Sequence, residues 1–272
     1  MSKIWRNFVI GFAAIICFWV FAIRIVGIDN YGVRNSTHFI LNYFQSWRIP
    51  YSTKSKNKGL FITLPSNSCP ANENRKAFAA LLHQWHKLAS FYKIPYVIGC
   101  GSLLGQYRDG DIIPWDQDVD VLVDITKFKA LKAFGGKRNF QQGSDDKFHF
   151  VVQKDFMQKE EEDDRRRFSC TGEVVDLQMD SCSFVSPMAR LIRGFVHLDV
   201  FPFLVDRDKQ KVRDPDMAAT YNLKDFFPLK KCVFMDVITW CPSKVRLVLE
   251  TAYGNIAPHY QCVNRTWVKT GN

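Results

Sequence analysis

GCGSLLGQYRDGDIIPWDQDVDVLVD, residues 99–124, sets acids at alternate positions, Asp116, Asp118 and Asp120, just after a Gly-Ser turn, in a chain with a net charge of +10. In a strand, residues i, i+2 and i+4 face the same way. The three aspartates therefore share one face, while Val119, Val121 and Val123 pack on the other. Carboxylates about 7 Å apart on one face repel one another unless a cation lies between them. The valine face and Trp115 argue for a buried, paired strand rather than an acidic edge in solvent. A divalent cation, Mg2+ or Mn2+, answers the repulsion, because hard carboxylate and phosphate oxygens suit both. An EF-hand loop is excluded, since its glycine and distal glutamate are missing.

Upstream, PYVIGCG (95–101) reads as a short strand opening into glycines, with Ser102 as N-cap of a helix over SLLGQYR. A turn feeding a helix N-terminus presents unbonded N–H groups and a positive dipole end, which suits phosphate. Further upstream, NENRKAFAALLHQWHKLASFYK places Phe78, Leu81, Leu82, Trp85, Leu88 and Tyr92 at helical spacing, and Pro95 ends that helix. His83 and His86 are expected to be ordinary helix-face residues rather than ligands. Downstream, KEEEDDRRR (159–167) reads as a solvated loop, and VVDLQMD (174–180) as a strand bearing Asp176. CPSKVRLVLETAYG (241–254) reads as a helix capped by Ser243 and closed by Gly254 in a left-handed cap, with Val245, Leu247, Val248 and Leu249 in the core.

The N-terminus sets Lys3 and Arg6 before an apolar run from Phe8 to Ile23, which Arg24 interrupts. The run falls short of the roughly 20 residues that span a bilayer, but Arg24 can snorkel and extend it. Bulky Phe18, Trp19 and Phe21 stand where a cleavage site needs small residues. The expectation is an uncleaved signal anchor, with residues 1–28 forming the cytosolic tail and membrane helix (membrane contact through 8–28) and the body lumenal, a single-pass type II arrangement. Residues 29–70 read as a lumenal stem, leaving 71–272 as the folded domain.

Asn35-Ser36-Thr37 and Asn264-Arg265-Thr266 are glycosylation sequons, usable in the secretory route. Beyond the anchor stand Cys69, Cys100, Cys170, Cys182, Cys232, Cys241 and Cys262, an odd set that allows three disulfides and one thiol. No CxxC pair supports a zinc finger. With no nucleic-acid-binding motif in view, the positive charge points to phosphorylated donors and acidic glycans rather than RNA or DNA.

GSLLGQYRDGDIIPWDQDVDV resembles the signature of the LicD/fukutin family; HLDVFPF (197–203) matches its second acidic strand and AYGNIAPHY (252–260) its C-terminal end. The resemblance implies an α/β fold, a nucleotidyltransferase-like mixed sheet flanked by helices, behind the N-terminal anchor. It implies that Gly101 and Ser102 contact the nucleotide phosphates and that Arg108 holds phosphate. Asp118 and Asp120 would be the metal pair, Asp199 a further metal ligand from a neighbouring strand, and Asp116 a catalytic carboxylate beside them. A particular likeness to the fukutin-related branch implies transfer of ribitol phosphate, or a similar glycerol or choline phosphate, from a CDP-linked donor to a glycan hydroxyl in the Golgi or ER. Gln106-Tyr107 and Gln117 depart from the family pattern and leave the donor alcohol open. Two other readings of the acidic strand stand beside this one: a nucleotide-sugar glycosyltransferase, and a catalytically silent glycan-binding relative.

Overall fold

Apolar residues at helical spacing build α1, Arg75–Phe91, whose Phe78, Leu81, Leu82 and Trp85 are fully buried. A computed structural model of the chain describes residues 69–135, 148–159 and 162–269. The expected anchor, nearly all of the stem and the Asn35 sequon lie outside the described residues. Among the described residues, no helix is long and apolar enough to cross a membrane. Trp85 stacks on Phe150, ring centroids 6.0 Å apart, and meets Tyr96 edge-on at 5.7 Å. The helix ends as Lys93 takes a φ of 55° and Ile94 N–H donates to the Ala89 carbonyl; Pro95 lies beyond, and Tyr92 caps the end only half-buried. His86 Nδ1 is 2.9 Å from the Tyr96 hydroxyl, itself 3.0 Å from Thr239 Oγ1. His86 thus belongs to a core hydrogen-bond chain.

Then come β1 (Tyr96–Ile98), α2 (Cys100–Asp109), β2 (Asp118–Asp124), α3 (Phe128–Phe134) and β3 (Phe148–Val152). Two short strands, β4 (Arg167–Phe168) and β5 (Val174–Val175), precede the long hairpin of β6 (Ala189–Arg193) and β7 (Val196–Asp206). β8 (Lys211–Asp214), β9 (Ala219–Asn222) and α4 (Leu223–Phe226) follow, then β10 (Lys230–Phe234), β11 (Val237–Cys241), α5 (Val245–Tyr253), β12 (Tyr260–Val263) and β13 (Thr266–Lys269). The main sheet runs β1-β2-β7-β6-β3, with β8 and β9 continuing from the far half of β7. β2 and β7 are parallel and their other neighbours antiparallel, so the sheet is mixed, as expected. Their pairing sets Asp118 opposite His197 and Asp120 opposite Asp199. Val119, Val121, Leu198 and Val200 form the opposite, fully buried face, and α1 packs against β7 and β6.

Several local expectations shift. β2 begins at Asp118, and Asp116 stands before it in a turn closed by its N–H to the Ile113 carbonyl. Trp115, expected inside, is 46% exposed. α2 is capped three residues earlier than the sequence suggests, by Gly99 with no side-chain bond, because the Ser102 hydroxyl is engaged elsewhere. α5 is capped by Lys244 rather than Ser243, and only Val248 and Leu249 are buried in it. Gly254 does take a positive φ of 67°, but its ψ of −84° lies outside the left-handed helical region. VVDLQMD pairs for two residues only, and Asp176 sits exposed on the following loop. Three disulfides form, Cys69–Cys262, Cys170–Cys182 and Cys232–Cys241, leaving Cys100 as a thiol.

Gly105 fixes the path from α2 to the acidic strand. A Cβ there would lie 2.5 Å from the Asp111 carbonyl oxygen, a backbone atom that cannot swing aside. Gly105→Ala should therefore destabilise the fold by about 1–3 kcal/mol in urea unfolding, the usual range for forced overpacking; an unchanged midpoint would refute the close approach.

Candidate active site

The Gly-Ser turn and the acidic strand are held together through one residue. Gly99 N–H donates to the Asp120 carbonyl at 3.1 Å, and Asp120 N–H donates to Ser102 Oγ at 2.9 Å. Ser102, expected at the nucleotide phosphates, is 1% exposed and positions β2 instead through this bond. Gly101 faces the site: a Cβ there would stand 3.0 Å from Asp116 Oδ2, so glycine lets that carboxylate approach the first turn of α2. The N–H groups of this turn have no helical acceptors, which leaves a positive dipole end beside the acids. Cys100 opens the turn with a φ of 46°, its Sγ 3.9 Å from Asp216 Oδ2.

Residues of β2 and β7 that face one another supply the acids. Asp118, His197 and Asp199 bring one ligand atom each to within 4.8 Å of one another. His197 Nε2 lies 3.7 Å from Asp118 Oδ2 and 4.0 Å from Asp199 Oδ1, while its buried Nδ1 has no hydrogen-bond partner. Arg190, opposite Asp199 on β6, donates from Nε and Nη2 to the two Asp199 oxygens at 2.6 and 2.7 Å. Asp120 is buried beside this set without belonging to it. A second group of close ligand atoms, Cys170, Asp180 and Cys182, is accounted for by its disulfide.

The electrostatics show how poorly the acids are balanced. Burial, then Asp118, push the Asp116 carboxyl up to about 6. Burial drives Asp120 well above the usual carboxylate range, with Asp118, Asp199, Asp116 and Asp216 adding repulsion. Asp199 is raised as well, burial outweighing the Arg190 guanidinium. Burial and Asp214 raise Asp216, and burial with the nearby acids raises the Cys100 thiol. Such a cluster suits a divalent cation: its carboxylate oxygens are the hard donors that Mg2+ and Mn2+ take, the ion would relieve the repulsion, and the imidazole is the one softer donor beside them. The residues present therefore fit Mg2+ or Mn2+.

Asp116, Asp118, Asp120, Asp199 and Gly101 thus come together at one end of the sheet. Arg108 stands apart: its Nε and Nη2 donate to the Ile256 carbonyl at 3.1 and 2.9 Å, and Nη2 to that of Ala257 at 2.7 Å. It ties α2 to the segment after α5 instead of pointing those nitrogens at a phosphate. Sequence reasoning missed His197, although its place two residues before Asp199 was signal enough for a shared face. It missed Arg190 and Asp216 for lack of any signal, because their partners depend on strand pairing.

Comparison with known proteins gives the chain relatives. The family described as LicD/FKTN/FKRP, nucleotidyltransferase domain, matches residues 93–244, more than half of the chain. The chain is also similar to the lipopolysaccharide cholinephosphotransferase LicD of Haemophilus influenzae, 37% identical over 51 residues, which are 19% of this chain and 19% of that enzyme.

The Arg190–Asp199 pair gives a direct test of the charge account. Arg190→Met leaves Asp199 buried without its guanidinium and should cost about 3–5 kcal/mol in urea unfolding. Adding Asp199→Asn should recover a good part of that loss. Equal stability of Arg190→Met and the native protein would show that Asp199 does not depend on its partner.

Proposed function

We infer the activity from one premise: the chain belongs to the LicD/FKTN/FKRP nucleotidyltransferase-domain family. It is a divalent-metal-dependent phosphotransferase that takes a phospho-alcohol, ribitol phosphate or a close analogue, from a CDP-linked donor and passes it to a glycan hydroxyl. The observation that carries this reading is the Asp118–His197–Asp199 cluster, set by strand pairing beside the first turn of α2. The LicD enzyme of Haemophilus influenzae, named for transfer of choline phosphate onto lipopolysaccharide, supports the same class of donor.

In the transfer, the acceptor oxygen forms a new bond to the phosphorus carrying the alcohol. The bond from that phosphorus to the bridging oxygen breaks, CMP leaves with the electron pair, and the hydroxyl proton is lost. A divalent cation held by Asp118, Asp199 and His197, with Asp120 beside them, would supply Lewis-acid charge to the donor phosphates. The chain's own residues do the positioning. The N–H groups of the first turn of α2 are those a donor phosphate would use, and glycine at position 101 leaves that turn open beside Asp116. Ser102 and Gly99 clamp the Asp120 peptide so that the acids on β2 keep their heading. Arg190 fixes Asp199 in one orientation by its paired bonds. Asp116 lies where it can take the acceptor proton.

The cysteines bear on the site of action. Three disulfides are the mark of an oxidising compartment, and the Asn264 sequon lies exposed at the turn between β12 and β13. Both favour a secretory compartment, and the reading places there the lumenal domain of a Golgi or ER membrane protein, with an anchor over residues 8–28, a stem over 29–70 and the catalytic domain over 71–272.

CMP release from CDP-ribitol, CDP-glycerol and CDP-choline tests the assignment. Asp118→Ala, which replaces a half-exposed side chain and spares the core, should lower turnover on the order of 100-fold or more, as removal of a key charge-stabilising group does. EDTA should abolish it and Mg2+ or Mn2+ restore it. Turnover of the variant equal to the native enzyme at saturating Mg2+ would sink the site assignment.

A further inference from the structure

A cleft of about 600 Å3 opens at the start of β2 and β7, and Asp116 and His197 line it. That size lies within the roughly 300–1,000 Å3 usual for small-molecule sites. Two aromatic rings form part of its lining, Trp115 and Phe195, the latter 78% exposed beside Gly194 in the turn between β6 and β7. Trp115 is held from behind. Its ring lies 4.4 Å from Tyr260 and 5.7 Å from Trp267, on the hairpin of β12 and β13. That hairpin is fastened twice to the segment lining the cleft: the Trp267 indole N–H donates to the Pro70 carbonyl at 3.1 Å, and Cys262 is bonded to Cys69. A disulfide, a hydrogen bond and two ring contacts thus hold a partly exposed indole beside the reacting carboxylates.

We propose that this cleft is the acceptor site, and that it takes an uncharged saccharide ring stacked on Trp115 with its reacting hydroxyl presented to Asp116 and His197. The proposal rests on the transferase reading above. Three features select this occupant. Partly exposed aromatic faces interleaved with Glu73, Asn74 and Gln117 suit a sugar, which has an apolar C–H face and a rim of hydroxyls. None of the lining residues is a lysine or arginine, so the cleft offers an anionic ligand no cation of its own and suits an uncharged one. The third feature is position. The first turn of α2 gathers Cys100, Asp120 and Asp216, whereas the cleft is lined by Asp116, Gln117 and His197. Asp116 belongs to both: a Cβ on Gly101 would stand 3.0 Å from its Oδ2, and its side chain lines the cleft. Phosphoryl transfer places attacking and leaving oxygens roughly in line, so donor and acceptor need separate approaches to the phosphorus, and these two regions supply them.

Saturation-transfer NMR on the full chain, with methyl glycosides of the common hexoses and N-acetylhexosamines as probes, tests the assignment beside CDP binding in Mg2+. At least one glycoside should bind the native protein. Its affinity should fall at least tenfold in Trp115→Ala and in Phe195→Ala, whose exposed side chain is not needed for folding. Trp115→Tyr should keep most of the affinity, and CDP binding should move less than twofold in all three. No binding by any glycoside, or equal binding by the native protein and both alanine variants, overturns the proposal. So does a tenfold loss of CDP affinity in Trp115→Ala, which would make the cleft a base subsite. Glycoside binding lost in the alanine variants, but with no CDP binding to the native protein, would uphold the cleft and refute the donor reading instead.

Discussion

The parallel pairing of β2 with β7 places like charges side by side, and the neighbouring structure is arranged around that repulsion. Asp120 faces Asp199, and Asp118 faces His197, on one face of the sheet at its end, which the buried Leu122 and Val97 continue farther along. The acid face by itself would not favour this register, since like charges opposite one another destabilise a sheet. The opposite face explains why it persists. Val119, Val121, Leu198 and Val200 are fully buried there, and slipping either strand by one residue would turn them outward and the acids inward. Hydrophobic burial therefore holds the acids in a strained arrangement, which the Arg190 guanidinium relieves in part and a divalent ion would relieve further.

The same constraint explains the devices around the acids. Ser102 and Gly99 bond the two sides of the Asp120 peptide, so the turn before α2 and the acidic strand move as one piece. Glycine at position 101 keeps the helix end close to Asp116, and glycine at 105 admits the Asp111 carbonyl on the path back to the strand. The C-terminal hairpin, though remote in sequence, is brought by Cys69–Cys262 against the same end of the sheet, where Tyr260 and Trp267 support Trp115. The two sides of the carboxylate cluster are thus built from different parts of the chain.

Much of this was legible in residues 99–124. The alternation of Asp118 and Asp120 with valines gave the strand and its acid face, and the glycines before it gave the turn. Asp199 was legible through HLDVFPF and its family likeness. The side-chain roles were harder to read. Ser102 reads as a cap or a phosphate contact because its hydroxyl suits either, and only the packing of α2 on β2 shows it accepting from Asp120. Arg108 reads as a phosphate ligand by charge, yet it bonds the carbonyls of Ile256 and Ala257, some 148 residues away in the chain. Trp115 reads as core by hydrophobicity and is instead partly exposed beside the acids. In each case a long-range contact overrode a local preference. The periodicity that marks strands and helices carries no information about such contacts.

Calorimetric titration of the full chain with CDP, UDP and GDP, each with Mg2+ and with EDTA, tests the central claim most directly. If the acids await a divalent ion and a cytidine diphosphate donor, CDP binds in Mg2+ at least tenfold more tightly than UDP or GDP, and that binding disappears in EDTA. CDP binding of equal strength in EDTA, or a preference for UDP or GDP, would contradict the account.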